Sequence, residues 1–563
     1  MGNIWETAWE HYDRGVPHEI PIPDQSLYFL LKSTAEAYPN QTAIDYFGAT
    51  WTYSQILAAA EKGANLLAAA GVKRGDTVAL ALPNCPQHFI VFYALMRLGA
   101  TAAEHNPLAP KSQIEQQLGR HGGKVAVVWE QCAENFASIA QSGGEVFTVD
   151  ISAMMPAHMR AALKLPLKSA RKVKSKMRGP RPDWAKSWDQ AIRRQRRIAD
   201  DVPHAEARDI AVILHTGGTN GIPKSVPLTH QNIWANSNQN TFWVYKLKPA
   251  AETFWSLLPY FHAFGMTFFM VASVSLGACQ IVLPTFDVDL ALKAHKRRPV
   301  SFFVGVPPMF DRIAKAARKQ KVDISTIKYA ISGGMPLSRS IAETWEDTTG
   351  HFIIEGYGLS ETSPTICGSP LTPERRHGAL GLPFPSTHVK LVDPNNPDVE
   401  VPDGEPGEIL VQGPQVFSGY LDDEEATKNA FHNGWFRTGD IARNEDGFLV
   451  MADRLKELVI TSGFNVYPSE VEKVLEKHPQ VKSVAIVGTP DDIVGEVVTA
   501  AVVPEDESQM PSLESLRELA SQTLPRYALP KAIHRLEELP RSVMGKVLRH
   551  EVRRQILGQD SPE

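Results

Sequence analysis

Short apolar segments alternate with helical patterns along most of the chain, and this alternation restricts the fold more than any other feature of the sequence. Residues 52–70 are rich in alanine and leucine with helical spacing, residues 77–82 have the composition of a strand, and residues 87–98 have the spacing of another amphipathic helix. Strands that alternate with helices in this way form parallel sheets whose faces the helices cover. The sequence therefore predicts an α/β fold built on mostly parallel sheets.

The pattern changes twice towards the C-terminus. From residue 389, short strands separated by Asp/Pro/Gly turns predict a small antiparallel β-barrel, and beyond residue 453 a compact α+β pattern begins. A chain of 563 residues is also too long for one ordinary domain. We predict a large N-terminal domain over 1–452, with a basic insertion at about 155–200, a boundary at 453–456 and a small C-terminal domain over 457–563.

A glycine-rich segment follows the apolar run 210–214. Its sequence over 214–224 is Leu-His-Thr-Gly-Gly-Thr-Asn-Gly-Ile-Pro-Lys, in which glycines, hydroxyls and one lysine together suit anion binding. The segment nearly matches the phosphate loop G-x-x-x-x-G-K-[ST], but Pro223 replaces the second glycine and has no N–H for a phosphate. We predict a phosphate loop that does not belong to the γ-phosphoryl-transferring NTPases; an ordinary surface loop is the alternative.

Composition indicates a soluble globular protein in a reducing compartment. Apolar residues make up 43% of the chain and charged residues 21%, and the net charge of −5 argues against general nucleic-acid binding. The four cysteines are far apart, which excludes a disulfide scaffold and a zinc site formed within one short segment. The first residues lack the features of a signal peptide, and residues 266–283 suit a helix and a strand better than a membrane span. We expect a cytoplasmic protein.

One segment departs from the acidic balance. Residues 160–197 contain 14 Lys/Arg against two Asp, a balance of +12 that leaves −17 for the remainder. Leucines and two tryptophans, Trp184 and Trp188, are interspersed among the basic residues. Two interpretations are open: a solvated charged insertion, or a surface that binds anionic lipid headgroups while its leucines and tryptophans enter the interface. The second would place the protein peripherally at the inner membrane face.

Six further motifs follow the glycine-rich segment. They are Pro-Tyr-Phe-His-Ala-Phe-Gly at 259–265, Ser-Gly-Gly-Met-Pro at 332–336, Glu-Gly-Tyr-Gly-Leu-Ser-Glu-Thr-Ser-Pro at 355–364, Trp-Phe-Arg-Thr-Gly-Asp at 435–440, Asp-Arg-Leu-Lys at 453–456 and Leu-Pro-Arg-Ser-Val-Met-Gly-Lys at 539–546. Glu361 offers a hard oxygen ligand for Mg²⁺, and Asp440 offers one carboxylate at a turn, where two ribose hydroxyls could bind. His262 alone is more typical of a packed core residue.

The seven motifs in this order resemble the adenylate-forming superfamily, which contains acyl-CoA synthetases, adenylation domains and beetle luciferases. The similarity is greatest to bacterial long-chain fatty-acid–CoA ligases and extends over about 42–549. Two positions depart from the family pattern: Ser225 replaces the glycine that usually follows the loop lysine, and Asn220 replaces a commoner threonine or serine.

The resemblance implies that a fatty acid reacts with MgATP to give acyl-AMP, and that coenzyme A then takes the acyl group. It implies Thr216 and Glu361 as Mg²⁺ ligands, Thr219, Gly221 and Lys224 at the β/γ-phosphates, Gly333, Gly334, Glu355, Gly356 and Tyr357 at adenine, Ser360 at the α-phosphate, and Asp440 and Arg454 at the ribose. It further implies Lys546 between carboxylate and α-phosphate, His262 as a catalytic residue at the acyl channel, Lys456 as the pivot of a mobile C-terminal domain and Gly463 beside the pantetheine tunnel.

Substrate and acceptor stay open within this resemblance. The segments that line the acyl channel in the family are apolar here, without a lysine or aspartate for an amino acid's amine, which favours a fatty acid of unspecified length. The alternatives are an aryl-CoA ligase, an acyl-AMP ligase that loads a carrier protein, a luciferase-like oxidative enzyme and an inactive nucleotide-binding protein at a membrane surface. The sequence leaves monomer and homodimer equally open.

Overall fold

The computed structural model describes residues 4–200, 202–216, 224–461, 464–491, 495–542 and 545–558. Within these ranges, helices cover two largely parallel sheets, and two further sheets follow towards the C-terminus. The α/β architecture predicted from the alternation of strands and helices is confirmed. Among the described helices, none is long and apolar enough to cross a membrane.

The first large sheet carries the glycine-rich segment at one edge. Its seven described strands lie in the order Lys186–Ser187, Glu145–Val149, Val125–Trp129, Thr77–Ala81, Thr101–Glu104, Ile210–Thr216 and Lys224–Thr229. All neighbours are parallel except the last two strands, which pair antiparallel with Thr216 opposite Lys224. The two ends of the glycine-rich segment are therefore held side by side by sheet pairing.

The second large sheet supplies most of the motif residues. Its nine described strands lie in the order Leu382–Pro383, Thr365–Gly368, Ile353–Gly358, Tyr329–Gly333, Phe302–Gly305, Thr253–Ser256, Cys279–Val282, Thr42–Tyr46 and Ala49–Thr52. The six central strands are parallel, from Ile353–Gly358 to Thr42–Tyr46. Ligands of open parallel sheets bind beyond the carboxyl ends of the strands, and three motifs follow such ends here.

The described α-helices alternate with these strands. In chain order they are Ile4–Trp9, Leu27–Ala37, Tyr53–Ala69, Pro86–Leu98, Lys111–His121, Ala137–Gln141, Ala157–Ala162, Lys168–Met177, Trp188–Ala191, His230–Trp243, Ala263–Gly265, Ser273–Ser275, Val288–Arg297, Pro307–Gln320, Arg339–Thr349, Glu424–Ala430, Pro468–Leu475, Leu513–Ser521 and Arg549–Ile556. Short 3₁₀ turns span Glu130–Phe136, Ile192–Arg194, Ser360–Thr362, Leu455–Glu457 and Arg526–Ala528, and Met266–Ala272 is π-helical. Thr52 begins the helix Tyr53–Ala69 with a capping box to Gln55, which satisfies backbone N–H groups that have no partner within the helix.

The two remaining sheets are smaller. The strands Asn396–Glu400, His388–Asp393, Gly407–Gln412, Trp435–Glu445 and Phe431–His432 form an antiparallel sheet, which Phe448–Arg454 joins by pairing with Trp435–Glu445. The last sheet orders Phe464–Val466, Val459–Thr461, Gly495–Pro504 and Val481–Asp491, with Ala532–Arg535 parallel to Gly495–Pro504. One hydrophobic core extends from Ala8 to Leu449, whereas separate cores begin at Val459.

The basic segment forms two short helices, Ala157–Ala162 and Lys168–Met177, on the surface. Leu165, Leu167 and Val173 are exposed between the basic residues. The expectation that both tryptophans reach a membrane interface is wrong for Trp188, which is buried and contacts Phe147 edge to face. The reason is that strand Lys186–Ser187 joins the edge of the first sheet and turns the following residue towards the core.

Candidate functional site

Five of the motifs that the sequence singled out line one cavity of about 430 Å³, and Asp440 of a sixth contacts two of the lining residues, Tyr357 and Arg454. Its lining includes residues that follow strands of the second sheet, together with Arg454 at the end of the antiparallel sheet and Ser542 and Lys546 from beyond that sheet. A cavity of this size is typical of sites for small molecules. Its full lining is Asn240, Trp243, His262, Phe264, Phe268, Ile331, Gly333, Gly334, Ile354, Glu355, Gly356, Tyr357, Gly358, Leu359, Ser360, Pro364, Thr365, Gly368, Phe384, Arg454, Ser542 and Lys546.

The glycine pair at 333–334 forms a flat part of the wall. A Cβ atom on Gly333 would lie 2.9 Å from the Phe264 ring, and Gly334 has a φ of +76°, which side chains disfavour. Gly356 lies on the neighbouring strand, in register with Gly333. Bare backbone on two adjacent strands leaves a surface on which a planar ring can lie.

Glu355 supports this wall from behind. Its carboxylate accepts hydrogen bonds from the backbone N–H groups of Leu337, at 3.3 Å, and Gly378, at 2.8 Å. Burial raises the pKa of Glu355 to about 7, against the opposing effect of those N–H groups. Glu355 therefore fixes the loop that carries the glycine pair, in addition to lining the cavity.

A carboxylate, a phenol and a guanidinium form a chain at the rim. Tyr357 donates its hydroxyl to Asp440 Oδ2 at 2.6 Å, and Arg454 Nε lies 3.2 Å from Asp440 Oδ1. Asp440 and Arg454 are also opposite each other in paired strands. Burial and the neighbouring Asp440 carboxylate raise the pKa of Tyr357 well above its usual value. The phenol thus keeps its proton, and Asp440 remains an oriented acceptor at the cavity.

Lys546 lines the same cavity as the glycine pair, although 212 positions separate Lys546 from Gly334 in the sequence. Its backbone N–H donates to Ser542 Oγ at 3.1 Å, and the turn is closed by the Ser542 N–H to the Lys546 carbonyl at 2.7 Å. Burial, and then the nearby Arg454, lower the pKa of Lys546 to about 8. A partly desolvated ammonium at this place interacts strongly with any anion that enters.

Glu361 lies near the glycine-rich segment, with two groups that orient it. Tyr420 donates its hydroxyl to Glu361 Oε1 at 3.0 Å, and Lys224 Nζ lies 4.4 Å from the centre of the Tyr420 ring. Burial raises the pKa of Glu361, and a nearby cation would offset that effect. The Glu361 carboxylate and the Thr216 hydroxyl are hard oxygen donors of the kind that Mg²⁺ prefers, so the chemistry of this pair suits a Mg²⁺ ion.

The cavity also has an apolar part, whose residues share the lining with His262. Phe264, Phe268 and Ile331 line it, with Trp243 stacked on Phe384 at 4.7 Å and donating its indole N–H to the Ser369 carbonyl at 2.9 Å. The π-helical turn Met266–Ala272 carries Phe268, and such turns are frequent at functional sites. His262 caps the short helix Ala263–Gly265 through the Phe264 N–H, and burial lowers the pKa of its imidazole.

Some predicted residues lie outside the part of the chain that the structure describes. Thr219 and Gly221 belong to the glycine-rich segment beyond Thr216, and Gly463 follows Thr461; all three are outside the described residues. Lys456 is in the 3₁₀ turn Leu455–Glu457, and its side chain is likewise outside the description. Ser360 lies in the turn Ser360–Thr362 at the cavity wall.

Tyr420 and Trp243 are among the residues of the site that the sequence analysis missed. Tyr420 donates a hydrogen bond to Glu361 but belongs to none of the motifs. Trp243 is the last residue of the helix His230–Trp243, whose Asn236 binds the Thr365 carbonyl in the core. The aromatic character of Trp243 alone does not separate a cavity wall from an ordinary core position. Only the fold brings Trp243 to the cavity and Tyr420 to Glu361.

Comparisons with known proteins agree with this geometry. Residues 31–421 match the model of the family described as AMP-binding enzyme, and residues 470–546 match the AMP-binding enzyme C-terminal domain. The chain is 33% identical over 547 residues to a long-chain-fatty-acid–CoA ligase of Bacillus subtilis, covering 96% of both chains. It is 31% identical over 527 residues to a feruloyl-CoA synthase of an Amycolatopsis species, covering 92% of this chain and 97% of the relative. The crystal structure of ATP-bound MatB from Rhodopseudomonas palustris superposes with a TM-score of 0.80 at 28% identity, covering 94% of this chain and 99% of MatB.

Proposed function

The chain belongs to the AMP-binding enzyme family and is an AMP-forming acid–thiol ligase, and we propose that its acid is a medium- or long-chain fatty acid. One observation carries this proposal: a single cavity joins the polar motif residues to a wall of aromatic and aliphatic side chains. The acidic and basic residues of that lining are Glu355, Arg454 and Lys546, whereas Trp243, Phe264, Phe268, Ile331 and Phe384 are apolar. An apolar acyl tail with one carboxylate matches this division.

In the proposed first half-reaction, a carboxylate oxygen of the acid attacks the α-phosphorus of ATP. The bond from the α-phosphorus to the bridging oxygen breaks, and pyrophosphate leaves. Two anions must approach each other, so positive charge at the point of contact lowers the barrier. Lys546 provides that charge, Asp440 binds the ribose hydroxyls beside Arg454, and adenine lies against Gly333, Gly334, Gly356 and Tyr357.

Mg²⁺ would be held by Glu361 and Thr216, and when bound it neutralises part of the phosphate charge. Tyr420 fixes the orientation of Glu361 through its hydroxyl. We propose that Lys224, with Thr219 and Gly221 of the glycine-rich segment, binds the β- and γ-phosphates, and that Ser360 donates to the α-phosphate. Sheet pairing keeps Lys224 opposite Thr216. The lysine that would bind the phosphates therefore lies beside the threonine that would bind their Mg²⁺ ion.

In the proposed second half-reaction, the sulfur of coenzyme A attacks the acyl carbonyl of acyl-AMP. The bond between the carbonyl carbon and the AMP oxygen breaks, AMP leaves, and the thiol loses its proton. We propose that the unit beyond 453–456 turns about Lys456 between the two half-reactions, which removes Lys546 from the cavity and brings Gly463 to the pantetheine path. The domains are then 1–452 and 457–563.

The test is an ATP–pyrophosphate exchange panel with short-, medium- and long-chain fatty acids and with aryl acids such as ferulate. Each acid that supports exchange is then supplied with coenzyme A or with a phosphopantetheinyl carrier protein. We expect exchange with medium- or long-chain fatty acids and acyl transfer to coenzyme A. Exchange with aryl acids alone would show that the substrate is an aryl acid and not a fatty acid. Transfer to the carrier protein alone would show that the acceptor is the carrier protein and not coenzyme A.

We also propose that the basic segment 160–197 binds anionic lipid surfaces reversibly. The helix Lys168–Met177 presents its lysines to solvent with Val173 exposed among them, and Leu165 and Leu167 are exposed just before it. Each well-placed Lys or Arg contributes about 1 kcal/mol near an anionic surface, and salt weakens the attraction. Arg178 is excluded from this group because it pairs with Glu130 and Asp150.

Vesicle sedimentation tests the lipid proposal. Replacing Lys168, Lys172, Lys174 and Lys176 by glutamine should reduce binding to anionic vesicles at low salt and leave exchange with soluble acids unchanged. The matched control replaces four exposed lysines outside the segment by glutamine, Lys293, Lys315, Lys319 and Lys321, and should keep wild-type binding. Equal binding by both variants would show that the segment is only a solvated insertion.

A further inference from the structure

Three histidines from three separate elements meet beside the glycine-rich segment, outside the cavity. His105 follows the strand Thr101–Glu104, His121 ends the helix Lys111–His121, and His215 is the penultimate residue of the strand Ile210–Thr216. One ring nitrogen of each lies within 4.8 Å of the others, and the His105 and His121 Nε2 atoms are 3.0 Å apart. The nitrogens are therefore close enough for one small cation to contact all three.

We propose that His105, His121 and His215 form a binding site for a divalent transition-metal ion of the Zn²⁺ type. Three imidazoles suit Zn²⁺, Co²⁺, Ni²⁺ or Cu²⁺, whereas Mg²⁺ prefers the oxygen donors around Glu361. Sites with three protein ligands leave a fourth position open, as in many zinc proteins. The site is thus chemically distinct from the one that would hold the Mg²⁺ of ATP.

The second nitrogens of two of the rings are already bound in the manner that metal-ligating histidines need. His105 Nδ1 is 2.7 Å from Gln117 Oε1, and His215 Nδ1 is 3.2 Å from Ser225 Oγ. A histidine that donates one N–H to a neighbouring acceptor turns the lone pair of its other nitrogen towards the metal. Both rings therefore direct Nε2 to the centre of the cluster.

His215 supplies an independent sign that a ligand belongs here. Its Nε2 atom is buried and has no hydrogen-bond partner among the described residues. Buried polar atoms without partners are rare because they lose their hydration and gain nothing in return. A metal ion at the centre of the cluster gives this nitrogen a partner.

The state of the rings also favours metal over protons. Burial lowers the pKa of His105 well below its usual value, and the neighbouring His215 and His121 lower it further. Burial lowers the pKa of His121 to about 4 and that of His215 to about 3. Burial thus disfavours the protonated form of these rings, and the neutral imidazole is the form that binds metals.

One proton has to move within the cluster. His121 Nδ1 accepts the Gly123 N–H at 3.2 Å, so its own proton is on Nε2 and points to His105. Metal binding transfers this proton from Nε2 to Nδ1 of the same ring and breaks the bond from Gly123. Gly123 and His121 are both half-buried at the edge of the cluster, where solvent can take over the N–H and the ion can enter.

The site also assigns a role to Ser225, the residue that departs from the family glycine. Its hydroxyl holds the ring of His215, and its backbone pairs with His215 across the two strands. A metal ion bound here would tie the strand that leads into the glycine-rich segment to the helix Lys111–His121. We therefore expect metal binding to raise the thermal stability of the whole chain.

Zinc titration of the full-length protein tests the proposal, with excess Mg²⁺ present and ATP absent. We expect one Zn²⁺ per chain after dialysis, a rise in Tm, and visible absorption of tetrahedral character when Co²⁺ replaces Zn²⁺. His121→Gln and His215→Gln should each weaken Zn²⁺ binding about a hundredfold, and Ser225→Ala about tenfold. A substitution of His105, which is fully buried, could prevent folding. The test therefore uses His121, which is half-buried, so that loss of binding can be separated from loss of the fold.

Two controls separate this site from other zinc ligands. His158→Gln removes an exposed histidine elsewhere and should leave the stoichiometry and the Tm rise unchanged. Glu361→Gln should abolish neither, because the oxygen donors around Glu361 belong to the proposed Mg²⁺ site. Absence of Zn²⁺ binding in the wild type, or wild-type binding by His121→Gln and His215→Gln, would refute the metal site and leave a hydrogen-bonded histidine cluster; neither result affects the ligase proposal.

Discussion

Raising the pH through about 8 should slow the acyl-adenylate half-reaction, because Lys546 would lose its charge there. Burial is the main cause that lowers the pKa of Lys546 from 10.5 to about 8, and the nearby Arg454 adds to it. That lowering corresponds to about 3 kcal/mol of destabilisation of the ammonium in the cavity. When the carboxylate and the α-phosphate bind beside Lys546, their negative charges would stabilise the ammonium and offset this destabilisation.

The size of the effect follows from the titration. One pH unit below its pKa an amine is roughly nine-tenths protonated, and one unit above it roughly one-tenth. The value of kcat/KM for ATP reports the free enzyme, so it should fall about tenfold between roughly pH 7 and pH 9. The value of kcat reports the complex, in which two anions stabilise the ammonium, and should fall at a higher pH.

ATP–pyrophosphate exchange measures this half-reaction without coenzyme A, whose own thiol would otherwise titrate. Lys546→Arg keeps its charge over the whole range and should remove the alkaline fall, since a guanidinium does not deprotonate below about pH 12. Lys546→Ala should lower exchange by a hundredfold or more, roughly 3 kcal/mol of barrier, and show no alkaline fall. Conversion of supplied acyl-AMP and coenzyme A to thioester should continue at nearly the wild-type rate.

Three results would refute this reasoning about Lys546. A wild-type kcat/KM that stays constant through pH 8 would show that the amine does not act in its charged form. Equal loss of both half-reactions in Lys546→Ala would show that the lysine does not belong to one pose of the C-terminal unit. Full activity of the alanine variant would mean that the lysine is only a solvated surface residue.

The other predictions concern four residues. Glu361→Gln should keep the circular-dichroism spectrum but slow Mg²⁺-dependent exchange about a hundredfold, and near-normal exchange would exclude the metal role. Asp440→Asn should raise KM for ATP about tenfold and narrow the preference for ATP over deoxy-ATP; an unchanged preference would remove the ribose assignment. Trp243→Ala should shift the optimum of kcat/KM to longer acyl chains, because Trp243 closes the apolar wall against Phe384. If the wild type and the variant had the same optimum, the acyl tail would not bind against Trp243. Lys456→Pro fits the 3₁₀ turn of the described pose but fixes φ, so single-turnover assays should show thioester formation slowed more than adenylation, and equal slowing would argue against the pivot.

Local sequence determined much of the fold. The helix Tyr53–Ala69 could be predicted because Thr52 and Gln55 form a capping box and its apolar residues recur at helical spacing. The strand Ile210–Thr216 could be predicted from an apolar run followed by glycines. Both signals are local, and neighbouring residues supply the hydrogen bonds that stabilise each element.

Contacts between distant residues could not be predicted in the same way. His105, His121 and His215 are 16 and 94 positions apart, so no short motif reveals them as a cluster. Trp188 follows a basic run, and composition alone suggested a membrane contact, but the edge strand before it directs the ring into the core. Register and sheet order decide such positions, and both depend on the whole chain.

The proposed rotation of the C-terminal unit depends on which contacts would break. Arg549 pairs with Glu457 and Glu472, which fixes the turn after the proposed pivot to the helix Pro468–Leu475. The unit beyond the pivot would therefore turn as one body. Polar contacts cross the pivot, among them the pair of Arg443 with Glu470 at 3.0 Å.

The separate cores make such a turn inexpensive. The large core ends at Leu449 and the next begins at Val459, so rotation about 453–456 opens neither. Ion pairs with partly exposed partners contribute about 0–1 kcal/mol each, since water and salt replace them readily. In the described pose Lys546 lines the cavity, and polar contacts of this kind help to hold the unit there. Binding of anions near Lys546 would favour it, and their departure as pyrophosphate would release the unit for the second half-reaction.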